Sequence, residues 1–268
     1  MFPDRVYKSI QDNSFGYFGQ LTIEDIRIGA LLTAVKLSDG YYGVASTNIG
    51  GNSHHPIKKD RDYGDFTPLK IIGQNMESLF KYQGNNALVQ TLKIAALNAS
   101  FHGSLAKNKY VFLSKTDPVD LLDLNQYSNI TMVGAFSAYI KKISGFQARL
   151  RVLEFSEDAF EPEHKNFFVP AGQFRDILPT SDLIIITGLT LVNNTFDELL
   201  SYIPAQTTSI LIGPSAGIPP ELFFENNIDM IGATRITKTE LLFPLVSQGA
   251  AGFHLFEYCA EKITLRNE

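Results

Sequence analysis

Short apolar runs alternate with helix-like segments along the second half of the chain. From about Ile130 onward the apolar runs are NITMVGAF, RLRVLEF, SDLIIITGL, TSILIGPS and the weaker NIDMIGAT. Mixed polarity at helical spacing occurs between them, in FSAYIKKISG, TFDELLSYI and PPELFFENN. Nearly continuous apolar runs are typical of strands that are buried on both faces. The pattern therefore predicts an α/β fold, a Rossmann-like domain with a parallel sheet covered by helices.

The first half of the chain has a different pattern. Two β-like stretches in EDIRIGALLTAVKLSDGYYGVAST are joined at Ser38-Asp39-Gly40, a turn signal that indicates a hairpin. Helical patterns follow in MESLFKY and NALVQTLKIAALNASF. We therefore predict a smaller α+β domain over residues 1–118 and a Rossmann-like domain over residues 119–268. The boundary is placed where strand-like residues give way to Pro118 and a short polar connection.

A long segment between the hairpin and the helices is rich in Gly, Asn, His and charge: STNIGGNSHHPIKKDRDYGDFTP. Long loops of this composition often carry binding residues, so we expect residues 48–68 to border a ligand cleft and to be mobile without ligand. The adjacent histidines His54 and His55 are open to two interpretations, a solvated loop or a site for metal ligation or proton transfer.

Composition and charge narrow the class of protein. The chain has 268 residues, of which 44% are hydrophobic and 12% aromatic, enough for a packed core. Its net charge of -5 provides no basic field, so we expect neither nucleic acid nor an anionic membrane as a partner. No window reaches the roughly 18 apolar residues of a membrane span, and the N-terminal residues lack an apolar signal segment, so a cytoplasmic location is expected. The one cysteine, Cys259, excludes an intramolecular disulfide, and its apolar surroundings predict that it is buried.

Candidate site residues follow the first two predicted strands, because open parallel sheets bind ligands beyond the carboxyl ends of their strands. The first strand is followed by Gly134 and Phe136, a single glycine before a helix, which falls short of a full G-x-G-x-x-G motif. The second ends at Glu154, 20 positions after Gly134. A dinucleotide-binding fold places an acid there that accepts hydrogen bonds from a ribose. Glu154 is either such a ligand contact, to a hydroxyl, an amine or a metal, or an exposed carboxylate.

The next two predicted strands are also followed by polar or glycine-rich segments. After the third come Thr187, Gly188, Thr190, Asn193, Asn194 and Thr195. Capping the following helix requires only Asn194 or Thr195, so the surplus predicts a polar ligand surface. After the fourth come Gly213, Pro214, Ser215 and Gly217. These predict a pocket wall, while Pro219 and Pro220 favour the start of the next helix. No lysine follows the second glycine, so this is not a Walker loop.

The string ITGLTLVNNTFDELL, followed by ILIGPSAGIPPELFF, resembles the Rossmann-like domain of the DUF364 family, to which a role in heavy-metal chelation is attributed. Members carry a strand-end threonine with an asparagine-threonine step, a Gly-Pro-Ser-like loop, and an acid that corresponds to Glu154. GYYGVASTN and LKIAALNA look like the companion domain, DUF4213, with an enolase N-terminal-like fold. The resemblance implies a cleft between the domains that includes Thr47, Asn48 and Asn98. Asn98 is either a structural hydrogen bonder or a ligand contact.

Two functions from different classes remain open. The first is a small-ligand-binding protein whose ligand is a metal ion or a metal-containing small molecule. The second is a transferase or lyase that uses a nucleotide-like cofactor, with Glu154 near the ribose. No nucleophile–base pair or complete dinucleotide fingerprint supports catalysis, and no His/Cys cluster has metal-ligand spacing. His102, His164 and His254 each stand alone in the sequence, and a homo-oligomer is left open.

Overall fold

The computed structural model describes residues 1–14, 16–48, 63–84, 86–107 and 110–267. The strands within these ranges are β1 (Ile23–Ile28), β2 (Leu32–Leu37), β3 (Tyr42–Ser46), β4 (Leu113–Ser114), β5 (Asn129–Val133), β6 (Arg149–Glu154), β7 (Phe168–Pro170), β8 (Leu183–Thr187), β9 (Thr208–Ile212), β10 (Met230–Ile236) and β11 (Ala260–Arg266). The α-helices are α1 (Phe2–Asn13), α2 (Tyr17–Gln20), α3 (Met76–Lys81), α4 (Ala87–Ala106), α5 (Ser137–Ile143), α6 (Phe174–Ile177), α7 (Leu189–Val192), α8 (Phe196–Leu200), α9 (Glu221–Phe224), α10 (Thr239–Ser247) and α11 (Gly252–Tyr258).

The larger of two sheets has eight strands in the order β4-β11-β10-β9-β8-β5-β6-β7. The six strands from β10 to β7 are parallel, and β11 and β4 add antiparallel strands at one edge. From β5 the chain moves outward through β6 to β7, then returns to place β8 on the other side of β5. This is the order of a doubly wound dinucleotide-binding sheet, whose order reverses between β5 and β8. The predicted Rossmann-like α/β fold is confirmed.

The smaller sheet is antiparallel and has the order β1-β2-β3. The predicted hairpin is formed by β2 and β3, and Gly40 in its turn has a φ of 87°. The long helix α4 packs against both strands. Most of its side chains are buried, as expected for a helix with apolar residues around its whole circumference. The expected α+β arrangement of the first half is therefore confirmed, with β1 as an additional strand.

The core of the large sheet lies on both of its faces, because successive side chains of a strand point to opposite sides. On β8, Ile184 and Ile186 join a cluster that extends into α4, whereas Leu183 and Ile185 join a cluster with Ile140 of α5. The helix α4, which precedes the large sheet in sequence, thus shares a hydrophobic core with one face of it.

The N-terminal helix α1 connects the two halves of the chain, although the sequence analysis predicted no helix there. Phe2 is 1% exposed and stacks on Phe223 of α9, with ring centroids 4.6 Å apart. It also meets Phe196 of α8 edge to face, with ring centroids 4.9 Å apart.

The strand β4 pairs with β11 in the large sheet. The domain boundary at residue 118 stays a prediction.

Within the described part of the chain, no helix is both long and apolar enough to cross a membrane.

Candidate ligand-binding site

A cavity of about 300 Å³ opens at the carboxyl ends of β5, β6 and β8. We call it the switch-point cavity, because strand order reverses between β5 and β8 and open α/β sheets bind ligands at this position. Its described lining residues are Val133, Gly134, Ala135, Phe136, Leu153, Glu154, Phe155, Ala171, Gly172, Phe174, Thr187, Leu189, Thr190, Asn193, Thr195, Glu198 and Leu199. Its volume lies at the lower end of the range for small-molecule sites, roughly 300–1,000 Å³, so a compact ligand fits.

Gly134 sets the distance between the two central strand ends. Its φ is 93°, a left-handed conformation that other residues rarely adopt. A Cβ atom at this position would lie 2.9 Å from Cγ2 of Thr187. The backbone N–H of Gly134 donates to the carbonyl oxygen of Leu153 at 3.0 Å. Glycine therefore lets the chain turn sharply after β5 and lets the end of β8 approach it.

The Glu154 carboxylate lies at the cavity wall and accepts two backbone hydrogen bonds. Ala135 N–H donates to Oε2 at 3.0 Å, and Phe155 N–H donates to Oε1 at 2.7 Å. Hydrogen bonds to an ionised acceptor are strong, so both bonds fix the orientation of the side chain. In nucleotide-binding folds the turn after the first strand presents backbone amides to phosphate. Here the chain's own carboxylate accepts the Ala135 amide.

The polar segment after β8 forms hydrogen bonds mainly within itself. The Thr190 hydroxyl donates to Thr187 O at 2.7 Å, and Leu189 N–H donates to Thr187 Oγ1 at 3.3 Å. Asn193 Oδ1 accepts from the Thr195 hydroxyl at 2.7 Å and from its N–H at 3.2 Å. Thr195 precedes α8 at the N-cap position without a side-chain capping bond. Much of the surplus polarity noted in the sequence therefore shapes this turn. The side chains of Thr187, Thr190, Asn193 and Thr195 also line the cavity, whereas Asn194 does not.

The charge of the cavity is negative. Glu154 and Glu198 are its two ionisable side chains, and no Lys, Arg or His is among its described lining residues. Arg175 forms an ion pair with Glu198, but both side chains are at least half exposed, so solvent screens the pair. Glu154 has no cationic partner among the described residues. The remaining lining is largely apolar, including Leu153, Phe174 and Leu199.

The loop Gly213–Gly217 lies between the two sheets. Ser215 is 1% exposed, and its Oγ accepts a hydrogen bond from Ser46 N–H of the edge strand β3 at 2.8 Å. Asn98 of α4 is likewise 1% exposed, and its Nδ2 donates to Val44 O at 2.8 Å and to Pro214 O at 3.3 Å. A Cβ atom at Gly217 would lie 2.4 Å from Asn98 Oδ1. Ser215 and Asn98 therefore join α4, β3 and this loop.

Two other residues predicted for the cleft lie near this junction. The Thr47 hydroxyl donates to Gly29 O at 2.9 Å and lies 2.9 Å from Thr33 Oγ1. Asn48 N–H donates to Thr91 Oγ1 at 3.2 Å. Residues 49–62, which include His54 and His55, lie outside the described residues. The predicted role of the long loop beside a cleft therefore stays a prediction.

The predicted site residues fall into three groups. Those in the switch-point cavity are Gly134, Phe136, Glu154, Thr187, Thr190, Asn193 and Thr195. Gly213 and Pro214, again with Phe136, line a second cavity beyond β9 and β10. Those that line neither cavity are Thr47, Asn48, Asn98, Gly188, Asn194, Ser215 and Gly217. Ligand contact by the residues of this third group stays a prediction.

Several lining residues were not predicted from the sequence. Ala171, Gly172 and Phe174 follow the short strand β7, and Glu198 lies on α8. A prediction of β7 would have added a sixth parallel strand end and drawn attention to the residues after it. Glu198 was read only as part of a helical pattern, which does not show which way its carboxylate points.

Metal ligands are sparse around the switch-point cavity. Soft heavy-metal ions prefer thiolate and imidazole ligands, but none of the described residues that line it is Cys or His. Cys259 is 1% exposed, and burial raises the pKa of its thiol to about 11, which disfavours the thiolate form that binds metal. His102 is buried, with its ring nitrogens against Asn98 O and Thr234 O. The described residues therefore do not fit direct coordination of a soft metal ion in this cavity.

His164, for which the sequence identified no partner, lies close to Glu161 and Glu163 in the structure. The three potential ligand atoms are within 4.8 Å of one another. Both carboxylates are exposed, and the group lines neither cavity. This group could have been identified from the sequence, because all three residues lie within four consecutive positions.

The fold and the cavity define an α/β protein with a candidate ligand site at the switch point of a doubly wound sheet. The DUF364 family, described as "Putative heavy-metal chelation", matches residues 117–265. The DUF4213 family, which carries the same description, matches residues 14–101. The chain belongs to the DUF364 family, as its sequence resemblance indicated.

Individual relatives agree with this assignment. An uncharacterized protein from Methanocaldococcus jannaschii is 27% identical over 234 residues, which are 84% of this chain and 82% of the relative. A crystal structure of a DUF364 protein of unknown function from Pyrococcus horikoshii has a TM-score of 0.78 at 19% identity and covers 100% of both chains. Another, from Desulfitobacterium hafniense, has a TM-score of 0.73 at 18% identity and covers 97% of this chain and 98% of that one. At these identities the two structures show the shared fold.

Proposed function

We propose that the protein binds a compact, uncharged or positively charged small molecule in the switch-point cavity. Any metal that it handles enters this cavity as part of such a molecule, held by the molecule's own ligand atoms. The observation that carries the proposal is the lining itself, which combines an apolar wall with the Glu154 carboxylate and contains no cation among the described residues. The heavy-metal description of the family supports a metal complex as one candidate ligand.

Glu154 is the residue we expect to recognise the ligand. Each of its carboxylate oxygens accepts one backbone N–H and retains further acceptor capacity toward the cavity. A ligand hydroxyl, amine or ammonium can donate to it, whereas an anionic group is repelled. The Thr187 hydroxyl and the Asn193 amide add neutral polar groups to the lining. This arrangement favours hydrogen-bond donors on one side of an otherwise apolar ligand.

The nucleotide alternative has less support. Strand order and the position of Glu154 agree with it, but a nucleotide also brings phosphate groups. The Ala135 amide of the turn after β5 is already bound by Glu154, and no basic side chain is among the described residues of the cavity. Fold likeness alone does not establish a reaction. We therefore favour binding over turnover of a nucleotide-dependent substrate.

Three probes that share a ring and differ in charge test the proposal: benzyl alcohol, benzylamine and benzyl phosphate. Calorimetric titration of the full chain should detect benzyl alcohol and benzylamine, and it should detect no benzyl phosphate binding that depends on the switch-point cavity. The Ala171→Trp variant, which places a large side chain at the cavity wall, should lose this binding. Ala159→Trp is the matched control, because Ala159 is exposed and lies outside the cavity lining. Equal or stronger binding of benzyl phosphate that is lost in Ala171→Trp would contradict the proposal.

The Glu154→Gln variant tests the recognition step separately. Glutamine keeps one oxygen acceptor and replaces the other by an NH2 group, so one backbone N–H loses its partner and stability should fall by about 1 kcal/mol. Benzylamine should bind at least about fivefold more weakly, since the charge-assisted bond is lost. Glu163→Gln, at an exposed carboxylate outside the cavity, should leave both stability and binding unchanged.

A further inference from the structure

A second cavity, with a volume of about 560 Å³, opens beyond the carboxyl end of β9 and beside residues 232–234 of β10, between α5 and α11. We call it the aromatic cavity, because its lining includes the rings of Phe136, Tyr139, Phe253 and Phe256. Phe253 is 70% exposed at the start of α11, although large apolar side chains are usually buried. Aromatic rings offer flat apolar faces that favour stacked or edge-to-face contact with another ring. The lining therefore suits a ligand that contains an aromatic ring.

Thr234 of β10 provides a polar group in this lining without a partner. The residue is 1% exposed, and its hydroxyl has no hydrogen-bond partner among the described residues. Buried hydroxyls are nearly always paired, because an unpaired one destabilises the folded protein. A valine would have the same shape without this cost. The hydroxyl thus indicates a hydrogen-bond partner that comes from outside the chain.

Lys262 of β11 is the cross-strand neighbour of Thr234 in the antiparallel register, so both side chains lie on the same face of the sheet. Its Nζ donates to Asp117 Oδ2 at 2.8 Å, and the Tyr139 hydroxyl donates to the same oxygen at 2.7 Å. Asp117 Oδ1 accepts from Val119 N–H at 3.1 Å. Burial, and next the bond to Asp117, raise the pKa of Tyr139, so its phenol remains a donor. Asp117 therefore accepts three hydrogen bonds from within the protein.

The charged side chains of the aromatic cavity favour a ligand that accepts hydrogen bonds over an organic cation, because Asp117 already accepts three hydrogen bonds whereas the Lys262 ammonium donates one of them. Aromatic rings near a carboxylate are a common arrangement for binding an organic cation. In this chain Lys262 already takes that place, because its ammonium contacts Asp117 and lies 5.7 Å from the centroid of the Phe256 ring. A ligand cation would have to compete with this ammonium for Asp117. The Lys262 side chain is 49% exposed. Among the described residues, Asp117 accepts a hydrogen bond from one of the three N–H donors of its ammonium group.

We propose that the aromatic cavity is a second ligand site that binds a planar aromatic carboxylate. The ring packs among the four aromatic side chains, and the carboxylate accepts hydrogen bonds from Thr234 and Lys262. One carboxylate can reach both donors, because side chains directly opposite each other on antiparallel strands have Cβ atoms about 4.5–5.5 Å apart. This site takes an anion, whereas the switch-point cavity is expected to reject one.

Benzoate is the probe, and benzamide and cyclohexanecarboxylate are its matched comparisons, lacking the charge and the aromatic ring respectively. Titrations of the full chain followed by NMR should show benzoate binding at least about tenfold more tightly than either comparison. Failure of benzoate to bind, or binding equal to that of benzamide, would overturn the proposal.

Two variants locate the probe. Thr234→Val should keep or raise the melting temperature, because it removes an unpaired hydroxyl, and should weaken benzoate binding about three- to tenfold. Lys262→Met should weaken it about tenfold or more. Thr237→Val and Lys238→Met are controls at exposed neighbouring positions and should bind like the parent. Parent-like benzoate binding by Thr234→Val would overturn the proposal even if Lys262→Met fails to fold.

A further variant separates the two cavities. Ala171→Trp alters the switch-point cavity and leaves the lining of the aromatic cavity unchanged. Benzoate should bind this variant as it binds the parent, whatever happens to the probes of the switch-point cavity. Loss of benzoate binding would place the probe in the switch-point cavity and overturn the assignment to the aromatic one.

Discussion

Substitution of Ser215 by alanine tests whether the loop after β9 is a structural connection or a ligand contact. In the structure the Ser215 hydroxyl accepts the Ser46 N–H at 2.8 Å, at a site where Ser215 is 1% exposed. Ser46 is the last residue of β3, an edge strand of the small sheet, so this bond has no replacement from a neighbouring strand. We expect Ser215→Ala to destabilise the protein and to leave ligand binding in the switch-point cavity intact.

The expected loss follows from the donor that is left unpaired. A buried N–H without an acceptor costs about 1–3 kcal/mol. The entropy of unfolding is roughly 2.1 cal/mol/K per residue, or about 0.6 kcal/mol/K for a chain of 268 residues. The melting temperature should therefore fall by about 2–5 °C. Removal of the Ser144 hydroxyl is the control. This exposed hydroxyl donates to Lys141 O, and its loss should change the melting temperature by less than about 1 °C.

Scanning calorimetry and the benzylamine titration together decide between the two roles. A structural connection predicts lower melting with unchanged affinity. If Ser215→Ala melts like the parent and loses binding, the hydroxyl contacts the ligand and our account of the loop is wrong.

Three further predictions concern individual residues. Gly134→Ala should lower stability by about 1–2 kcal/mol or more in denaturant unfolding, because φ is 93° and the new Cβ would approach Thr187; a neutral result would contradict the strain. Cys259 should react with iodoacetamide at pH 8 only after unfolding, because burial raises its pKa to about 11; rapid labelling of the native protein would refute this. Burial lowers the pKa of His102 below its usual 6.5, so the unfolded chain binds a proton at this residue more readily than the folded protein does. The free energy of unfolding should therefore decrease as the pH falls through 6.5. The His102→Gln variant should show a smaller decrease between about pH 7.5 and 5.5 in unfolding curves, and a decrease equal to that of the parent would contradict this.

The central strands were predictable because burial on both faces requires nearly continuous apolar sequence. The run LIIIT of β8 is an example, with four buried residues followed by Thr187 at the cavity. The strands toward the edges of the sheet lack this signature. The strand β7 has three residues, and β11 carries exposed Lys262 and Arg266, so neither produced a clear apolar run. The helix α1 was missed for a similar reason, since few of its residues are buried.

The position of the switch-point cavity was predictable in part. Gly134, Glu154 and Thr187 were identified because a doubly wound sheet binds ligands in the crevice outside the carboxyl ends of its strands, where the strand order reverses. The environments of Ser215 and Asn98 were not predictable, because a polar side chain after a strand or on an apolar helix satisfies either a ligand or another backbone group. Contacts between residues that are distant in sequence show which groups they bind. The Ser46 N–H donates to Ser215, and Asn98 donates to Val44 O, so both side chains bind backbone groups of β3.

The most direct test of the central claim is equilibrium dialysis of the protein against a small-molecule cell extract, followed by mass spectrometry of the compounds retained. We expect the parent and Ala159→Trp to retain the same uncharged or cationic compound, with or without a bound metal, and Ala171→Trp to lose it. If all three proteins retain the same compounds, or if the compound lost with Ala171→Trp carries a phosphate, the switch-point cavity is not the site that we propose.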